Sequence, residues 1–162
     1  MSERTPDRTL QDELQQSRPF RSQSQEATIA LMRTASVVSR RFARVVEPHG
    51  LSLAQYNVLR ILRGAGPEGL PTLAIRDRMI DEGSTVTRLL DKLEQASLVT
   101  RDRSRPDRRQ VVCQITKQGE ALLATLDPQI DATDLSSMAM LTPDQRAALL
   151  ALLTAVRQEL GD

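Results

Sequence analysis

The sequence predicts a mainly α-helical fold carrying a small two- or three-stranded β wing, with further helices at both ends. Three observations carry that expectation. Apolar residues recur at three- and four-residue steps through most of the chain, the period drops to two between residues 98 and 116, and several helix starts are written out as capping motifs. At 162 residues, of which 41 are Leu, Ile, Val or Phe, the chain is long enough for one cored domain with an appendage.

The first 24 residues are rich in Ser, Gln, Arg and Pro and read as a mobile arm, with a short helix after Thr9. From Glu26 a helical period takes over. Leu31, Ala35, Val38, Phe42 and Val45 form its stripe, while Arg33, Arg40, Arg41 and Arg44 stay mostly off it. Pro48, His49 and Gly50 end this first long helix. Ser52-Leu53-Ala54-Gln55 is a capping box, and Leu51 with Tyr56 are placed as its hydrophobic staple, opening a second helix that runs to about Leu62. Gly64, Gly66, Pro67 and Gly69 break it. A short third helix near residues 72–79 partly buries Leu73, Ile75 and Met79. Asp81-Glu82-Gly83-Ser84 then links into a fourth helix with Val86, Leu89, Leu90 and Leu93 on one face.

After this the period changes. Residues 98–101 and 110–116 are rich in β-branched side chains, and the second segment places Val111, Cys113 and Ile115 on one side. Between them lies the polar stretch DRSRPDRR, where Pro106 bars a continuous strand, so the pair reads as a hairpin with a long basic tip. Thr116 is placed to cap a fifth helix through Leu122, Leu126 and Ile130, bent at Pro128. Thr142-Pro143-Asp144-Gln145 is a second capping box, opening a sixth helix with Leu149, Leu150, Leu152, Leu153, Val156 and Leu160. The expected organisation is an arm over 1–24, a helix over 25–49, a central domain over 50–116 and C-terminal helices over 117–162.

Composition narrows the function. No apolar run reaches the ~18 residues that cross a bilayer, and the opening dozen residues are polar and mixed in charge, so neither a membrane span nor a secretory signal is expected. One Cys excludes an internal disulfide and a Cys-based zinc site and fits a reducing cytosol; one His excludes the usual His-rich metal clusters. A cytoplasmic protein with no metal or cofactor is expected. An enzyme would need a nucleophile–base pair or paired carboxylates in a pocket. His49 has no Ser or Cys that the sequence brings near it, and the acidic residues are scattered along helix exteriors, so no enzyme is expected. The net charge of +1 hides an asymmetry: residues 83–117 hold 8 basic and 4 acidic side chains, whereas residues 118–162 hold 2 and 7. A basic segment in an otherwise neutral-to-acidic chain suggests a local polyanion-binding face.

Three short helices followed by a two-stranded hairpin is the order of a winged helix-turn-helix, whose third helix enters the DNA major groove while the hairpin tip reaches the backbone or minor groove. Such a helix must anchor one face in the core and offer small hydrogen-bonding groups and cations on the other. Val86, Leu89, Leu90 and Leu93 supply the anchor, and Ser84, Thr85, Arg88 and Lys92 lie opposite it. Hydroxyls at the helix start can meet base edges or phosphates, where the helix dipole also favours anions. Arg88 suits bidentate pairing with guanine, and Lys92 suits a phosphate. The tip carries Arg101, Arg103, Arg105, Arg108 and Arg109 against Asp102 and Asp107, and planar, weakly hydrated guanidinium groups fit a narrow minor groove. An amphipathic surface helix and a solvated loop would explain these features one by one; their succession points to double-stranded DNA. The alternative is a helical protein-interaction module without specific DNA binding, which leaves the Arg-dense tip unexplained.

The segments LSLAQYNVLRIL, STVTRLLDKLEQASLVTR and PDRRQVVCQIT occur in this order, flanked by helices at both ends. On these segments the chain resembles the multiple antibiotic resistance regulator (MarR) family of bacterial transcription factors, over roughly residues 26–160. The resemblance implies that Ser84, Thr85, Thr87 and Arg88 sit where the family reads DNA. It also implies that Asp107 and Arg109 form its Asp-x-Arg pair, in which the carboxylate orients the wing Arg. It implies further an obligate homodimer built by the terminal helices and acting on an inverted-repeat operator, with repression by promoter occlusion the commoner outcome.

The sixth helix asks for a partner independently. Its apolar residues, among them Leu149, Leu153, Val156 and Leu160, occupy more of the circumference than one packing face needs. Burial within one chain is the competing explanation. The family often responds to small aromatic acids, phenols or drugs, and the corresponding pocket here would lie among the first, second and fifth helices. Met32, Arg40, His49 and Tyr56 are its nearest candidates, although each also has a purely structural reading, and an aromatic content of 2% leaves few rings to stack an effector on. Two departures stand out. Asp81 and Glu82 place negative charge just before the recognition helix, and no reactive Cys lies near the N-terminus as in the redox branch of the family. Cys113 falls on the inward side of the second wing strand, where a small core residue is expected rather than a sensor.

Overall fold

The computed structural model describes residues 8–81, 85–102 and 111–160. Their elements are α1 (Leu10–Glu13), α2 (Gln23–Val46), a 3-10 turn (Glu47–His49), α3 (Leu53–Ala65), β1 (Leu70–Pro71), α4 (Thr72–Arg76), α5 (Val86–Gln95), β2 (Val99–Asp102), β3 (Val112–Ile115), α6 (Lys117–Ser137) and α7 (Pro143–Leu160). The chain divides into two units, Met1–Arg40 and Arg41–Asp162.

In the first unit, the Thr9 hydroxyl accepts from the Asp12 amide at 3.2 Å and the Asp12 carboxylate accepts from the Thr9 amide at 3.1 Å, which starts the short helix expected there. The long helix begins at Gln23, three residues earlier than the apolar period predicts. The cause is local: the Ser22 hydroxyl accepts from the Gln25 amide at 3.1 Å, and the Gln25 side chain accepts from the Arg21 amide at 2.8 Å. Leu31, expected on a packed stripe, is 40% exposed.

The second unit holds the core. Gly50, in the left-handed region at φ 77°, closes the turn after α2, and the reciprocal Ser52–Gln55 capping box starts α3. Leu51 and Tyr56 are both buried, as a staple requires. Val58, Leu59 and Leu62 of α3 pack with Ile75, Leu90, Leu93, Val99, Cys113, Leu123 and Leu126 into one cluster. α4 is shorter than expected, and Leu73 is exposed rather than partly buried. At 100° per residue, Leu73 lies about 200° round the helix from the buried Ile75, so one turn cannot bury both.

The sheet is antiparallel throughout, in the order β1-β3-β2, with Leu70 opposite Cys113 and Arg101 also opposite Cys113. Pro71, which lacks a donor, sits on an edge strand. The expected alternation in β3 holds only in part. Val112 is buried as well as Cys113, although only Cys113 belongs to the main core cluster.

α5 leaves through a Schellman turn: the Leu98 amide donates to the Leu93 carbonyl and the Ser97 amide to the Glu94 carbonyl, both at 2.9 Å. Ser97 therefore takes φ 59°, a position glycine usually holds. Thr116 caps α6 as expected, accepting from the Gly119 amide at 3.1 Å, while its hydroxyl donates to the Ser97 carbonyl at 2.8 Å. A side chain at Gly119 would stand 2.5 Å from the Leu98 carbonyl oxygen, so glycine lets α6 sit down on the hairpin. α6 continues through Pro128 and is tied to α3 by a bidentate pair, with Arg63 donating to both Asp127 oxygens at 2.8 and 2.9 Å. The Thr142–Gln145 capping box forms and opens α7, in which no residue is buried. Among the described residues, no helix is long and apolar enough to cross a membrane.

Two outcomes follow for stability. Ser97→Gly relieves the left-handed strain and should stabilise the fold by about 0.5–1 kcal/mol, read as a shift in the urea midpoint. Asp127→Asn should cost about 0.5–1 kcal/mol at neutral pH, the scale of an exposed but well-formed pair. The Arg63 guanidinium holds the Asp127 carboxyl below its ordinary range. Its stabilisation is therefore complete above the unfolded value near ~4 and is lost as pH falls through the folded one, so parent and variant should converge in acid.

Candidate nucleic-acid interface

α5 is divided lengthwise. Val86, Leu90 and Leu93 are buried and Leu89 half-buried, while Thr85, Thr87, Arg88 and Lys92 are exposed. Thr85, Arg88 and Lys92 stand at three- and four-residue steps and share one stripe; Thr87 lies on the next, with Asp91. Thr85 is the N-cap, yet its side chain makes no capping hydrogen bond. The start of α5 thus presents an exposed hydroxyl beside the first-turn amides that a helix leaves unpaired, a setting that favours anions. Ser84 lies outside the described residues, as do Arg103, Arg105, Asp107, Arg108 and Arg109 of the wing tip.

Arg101 departs from the sequence expectation. Counted there both at the end of the first strand segment and among the cations of the tip, it lies in β2 as the first of these requires but turns inward, with a side chain only 7% exposed. One terminal nitrogen lies 2.7 Å from the Asp91 carboxylate and donates to the Thr87 carbonyl at 3.2 Å; its Nε lies 3.6 Å from the Glu94 carboxylate. The signal was present in the strand period: Arg101 is two residues from the buried Val99 and so shares its inward face. A second missed residue is Asn57 of α3. Its side-chain oxygen accepts from the Ile80 amide at 3.0 Å and fixes the chain shortly before α5.

The residues expected near an effector are scattered in environment. Met32 and Arg40 are exposed on α2, and His49 is exposed in the 3-10 turn. Tyr56 is buried in the core, where burial raises its phenol and the Arg60 guanidinium stands 5.9 Å from the ring centre. His49 lines an open cleft with Gln55, Lys92, Gln95 and Leu98. Of the residues expected at a dimer contact, Leu149 and Leu153 are half-buried and Val156 and Leu160 exposed. Burial pushes the Cys113 thiol up against the smaller opposing effects of Thr72 Oγ1 at 3.9 Å and of the Arg101 charge, which disfavours the reactive thiolate. Among the described residues, no cluster of His, Cys, Asp and Glu could hold a metal ion.

The sequence matches the MarR family model over residues 51–111, from the start of α3 to the threshold of β3. The HTH-type transcriptional regulator TtmR of Methylorubrum extorquens is 34% identical over 131 residues, which are 81% of this chain and 65% of that relative. The homoprotocatechuate degradative operon repressor of Escherichia coli is 28% identical over 126 residues, 78% of this chain and 84% of the repressor. The crystal structure of a MarR transcription factor from Planctomyces limnophilus superposes with a TM-score of 0.65 at 34% identity, covering 85% of this chain and 99% of that one. The helix order, the wing and the lengthwise division of α5 agree with these likenesses: the chain belongs to the MarR family of winged-helix transcriptional regulators, a family of DNA-binding proteins and not of enzymes.

Proposed function

We propose that this protein is a cytoplasmic homodimeric repressor that sets α5 into the major groove of an inverted-repeat operator. The observation that carries the reading is the division of α5, with Val86, Leu90 and Leu93 buried and Thr85, Thr87, Arg88 and Lys92 exposed. In this reading, Ser84 and Thr85 meet phosphates or base edges at the helix start, Arg88 reads guanine, and Lys92 rests on a phosphate. Arg103, Arg105, Arg108 and Arg109 carry the wing to the backbone or minor groove, with Asp107 orienting Arg109.

Dimerisation is supported by α7, where Leu152, Val156 and Leu160 stand at four-residue steps and form an exposed apolar stripe, and no residue of the helix is fully buried. A patch of this kind marks an interaction surface. A two-fold dimer places its half-sites about one DNA turn apart. Repression is supported by the 28% identical relative that is itself named an operon repressor, and it requires only that a bound dimer occlude the promoter. A small-molecule effector that releases the dimer belongs to the same reading. Met32, Arg40 and His49 are exposed and open to such a contact, whereas Tyr56 offers only a buried ring.

Arg88→Ala should weaken binding to a duplex selected from random DNA by ~1–3 kcal/mol and relax choice at one base position, read by fluorescence anisotropy and repeat selection. For the parent protein, log K should fall with log salt at about −0.9 per phosphate contacted; a flat dependence would favour the protein-interaction module instead. Val156→Asp places a charge on a residue that is exposed in the single chain. It should leave thermal unfolding of the protomer intact while raising the dimer dissociation constant at least ~10-fold in sedimentation equilibrium, because a desolvated lone charge is costly at an interface.

A further inference from the structure

The geometry points to Arg101 as a positioning residue that sets the rotation of α5, and so decides where Arg88 points, without itself touching DNA. The inference rests on the reading of α5 as the groove-facing helix.

Arg101 comes from β2 and its side chain is almost wholly buried, and among the described residues its side-chain partners belong to α5: the Thr87 carbonyl, the Asp91 carboxylate and the Glu94 carboxylate. These stand at steps of four and three residues and form a single stripe down the wing-facing side of the helix. One terminal nitrogen takes both the Thr87 carbonyl and the Asp91 carboxylate, while the Glu94 carboxylate stands 3.6 Å from Nε as an ion pair without a hydrogen bond. Because the guanidinium is rigid and planar, these contacts along one stripe fix the helix in rotation as well as in distance. Arg88 follows Thr87 directly. A turn of α5 that re-aimed Arg88 would carry Thr87 and Asp91 away from the fork. On the other flank, Asn57 holds the Ile80 amide, so the chain is pinned before the helix as well.

Charge makes the same point with opposite sign. Asp91 is half exposed on the helix proposed to face a polyanion, and a carboxylate there opposes binding. Simple electrostatics therefore predicts that neutralising it strengthens DNA binding. Positioning predicts that neutralising it weakens specific binding, because the fork loses its shortest contact.

The test uses the full chain, a duplex selected from a random-sequence pool by the parent protein, and a scrambled duplex of equal length. Asp91→Asn should lower affinity for the selected duplex about tenfold, the scale of one charge-assisted hydrogen bond. Affinity for the scrambled duplex should be unchanged or slightly higher, and the melting temperature should stay near the parent's. Asp91→Glu, which keeps the carboxylate, should retain most of the specific affinity. Arg101→Gln should lower specific affinity with an unchanged salt slope, since no phosphate contact is lost. If that variant fails to fold by circular dichroism, the Asp91 pair of variants decides alone.

Asp91→Asn binding the selected duplex as tightly as the parent, or more tightly, overturns the proposal. So does a folded Arg101→Gln whose salt slope falls by about 0.9, the mark of a direct phosphate contact. Arg88→Ala run alongside separates the two layers. If it weakens specific binding while Asp91→Asn does not, only the positioning role falls; if neither does, the groove-facing reading of α5 falls and takes this inference with it.

Discussion

The burial of three side chains, Val86, Leu90 and Leu93, is the interaction on which the rest of the structure depends. A helix of ten residues is too short to persist in water by its own hydrogen bonds. It exists because each of those side chains, taken out of water, contributes about 1.5–3 kcal/mol. The same burial leaves the other half of the circumference without packing duties, so hydroxyls and cations can occupy it at no cost to the core. α3, α4, β2 and α6 all contribute to the cluster that receives the anchor. Ser97 and Leu98 then reverse the chain at the end of α5 so that the wing's first strand lies against the helix it follows.

What was legible in the sequence is what local chemistry decides. The capping boxes at Ser52 and Thr142 and the cap at Thr116 form as read, because each needs only a hydroxyl and an amide three residues away. The same logic applied at Ser22 would have placed the start of α2 correctly; the apolar period, being an average over several turns, could not. β1 was out of reach of such reasoning. Two residues cannot show alternation, and Leu70–Pro71 becomes a strand only because β3, some forty positions later, supplies its partners.

The candidate site divides in the same way. The lengthwise split of α5 follows from periodicity, since packing rewards one face and solvent the other. The role of Arg101 does not follow from composition: an Arg between other Arg residues looks like one more cation of a basic finger. Its strand register, two residues from a buried valine, was the informative feature, and the acidic partners Asp91 and Glu94 lie seven or more positions earlier on a helix. Leu73 shows the converse error. Apolar character alone suggested burial, but Leu73 stands on the opposite side of a single helical turn from Ile75, and the turn buries only Ile75.

The path of the chain through Thr116 has a mechanical consequence. A single residue separates β3 from α6, and α6 is yoked to α3 by the Arg63–Asp127 fork and by Leu123 and Leu126 in the shared core. α6 is therefore a lever that is embedded, over most of its length from Gly119 to Ile130, in the lobe that carries α5. A torque applied along α6 would reach β3, α3 and α5 together, so the core would turn as one block rather than bend between its elements.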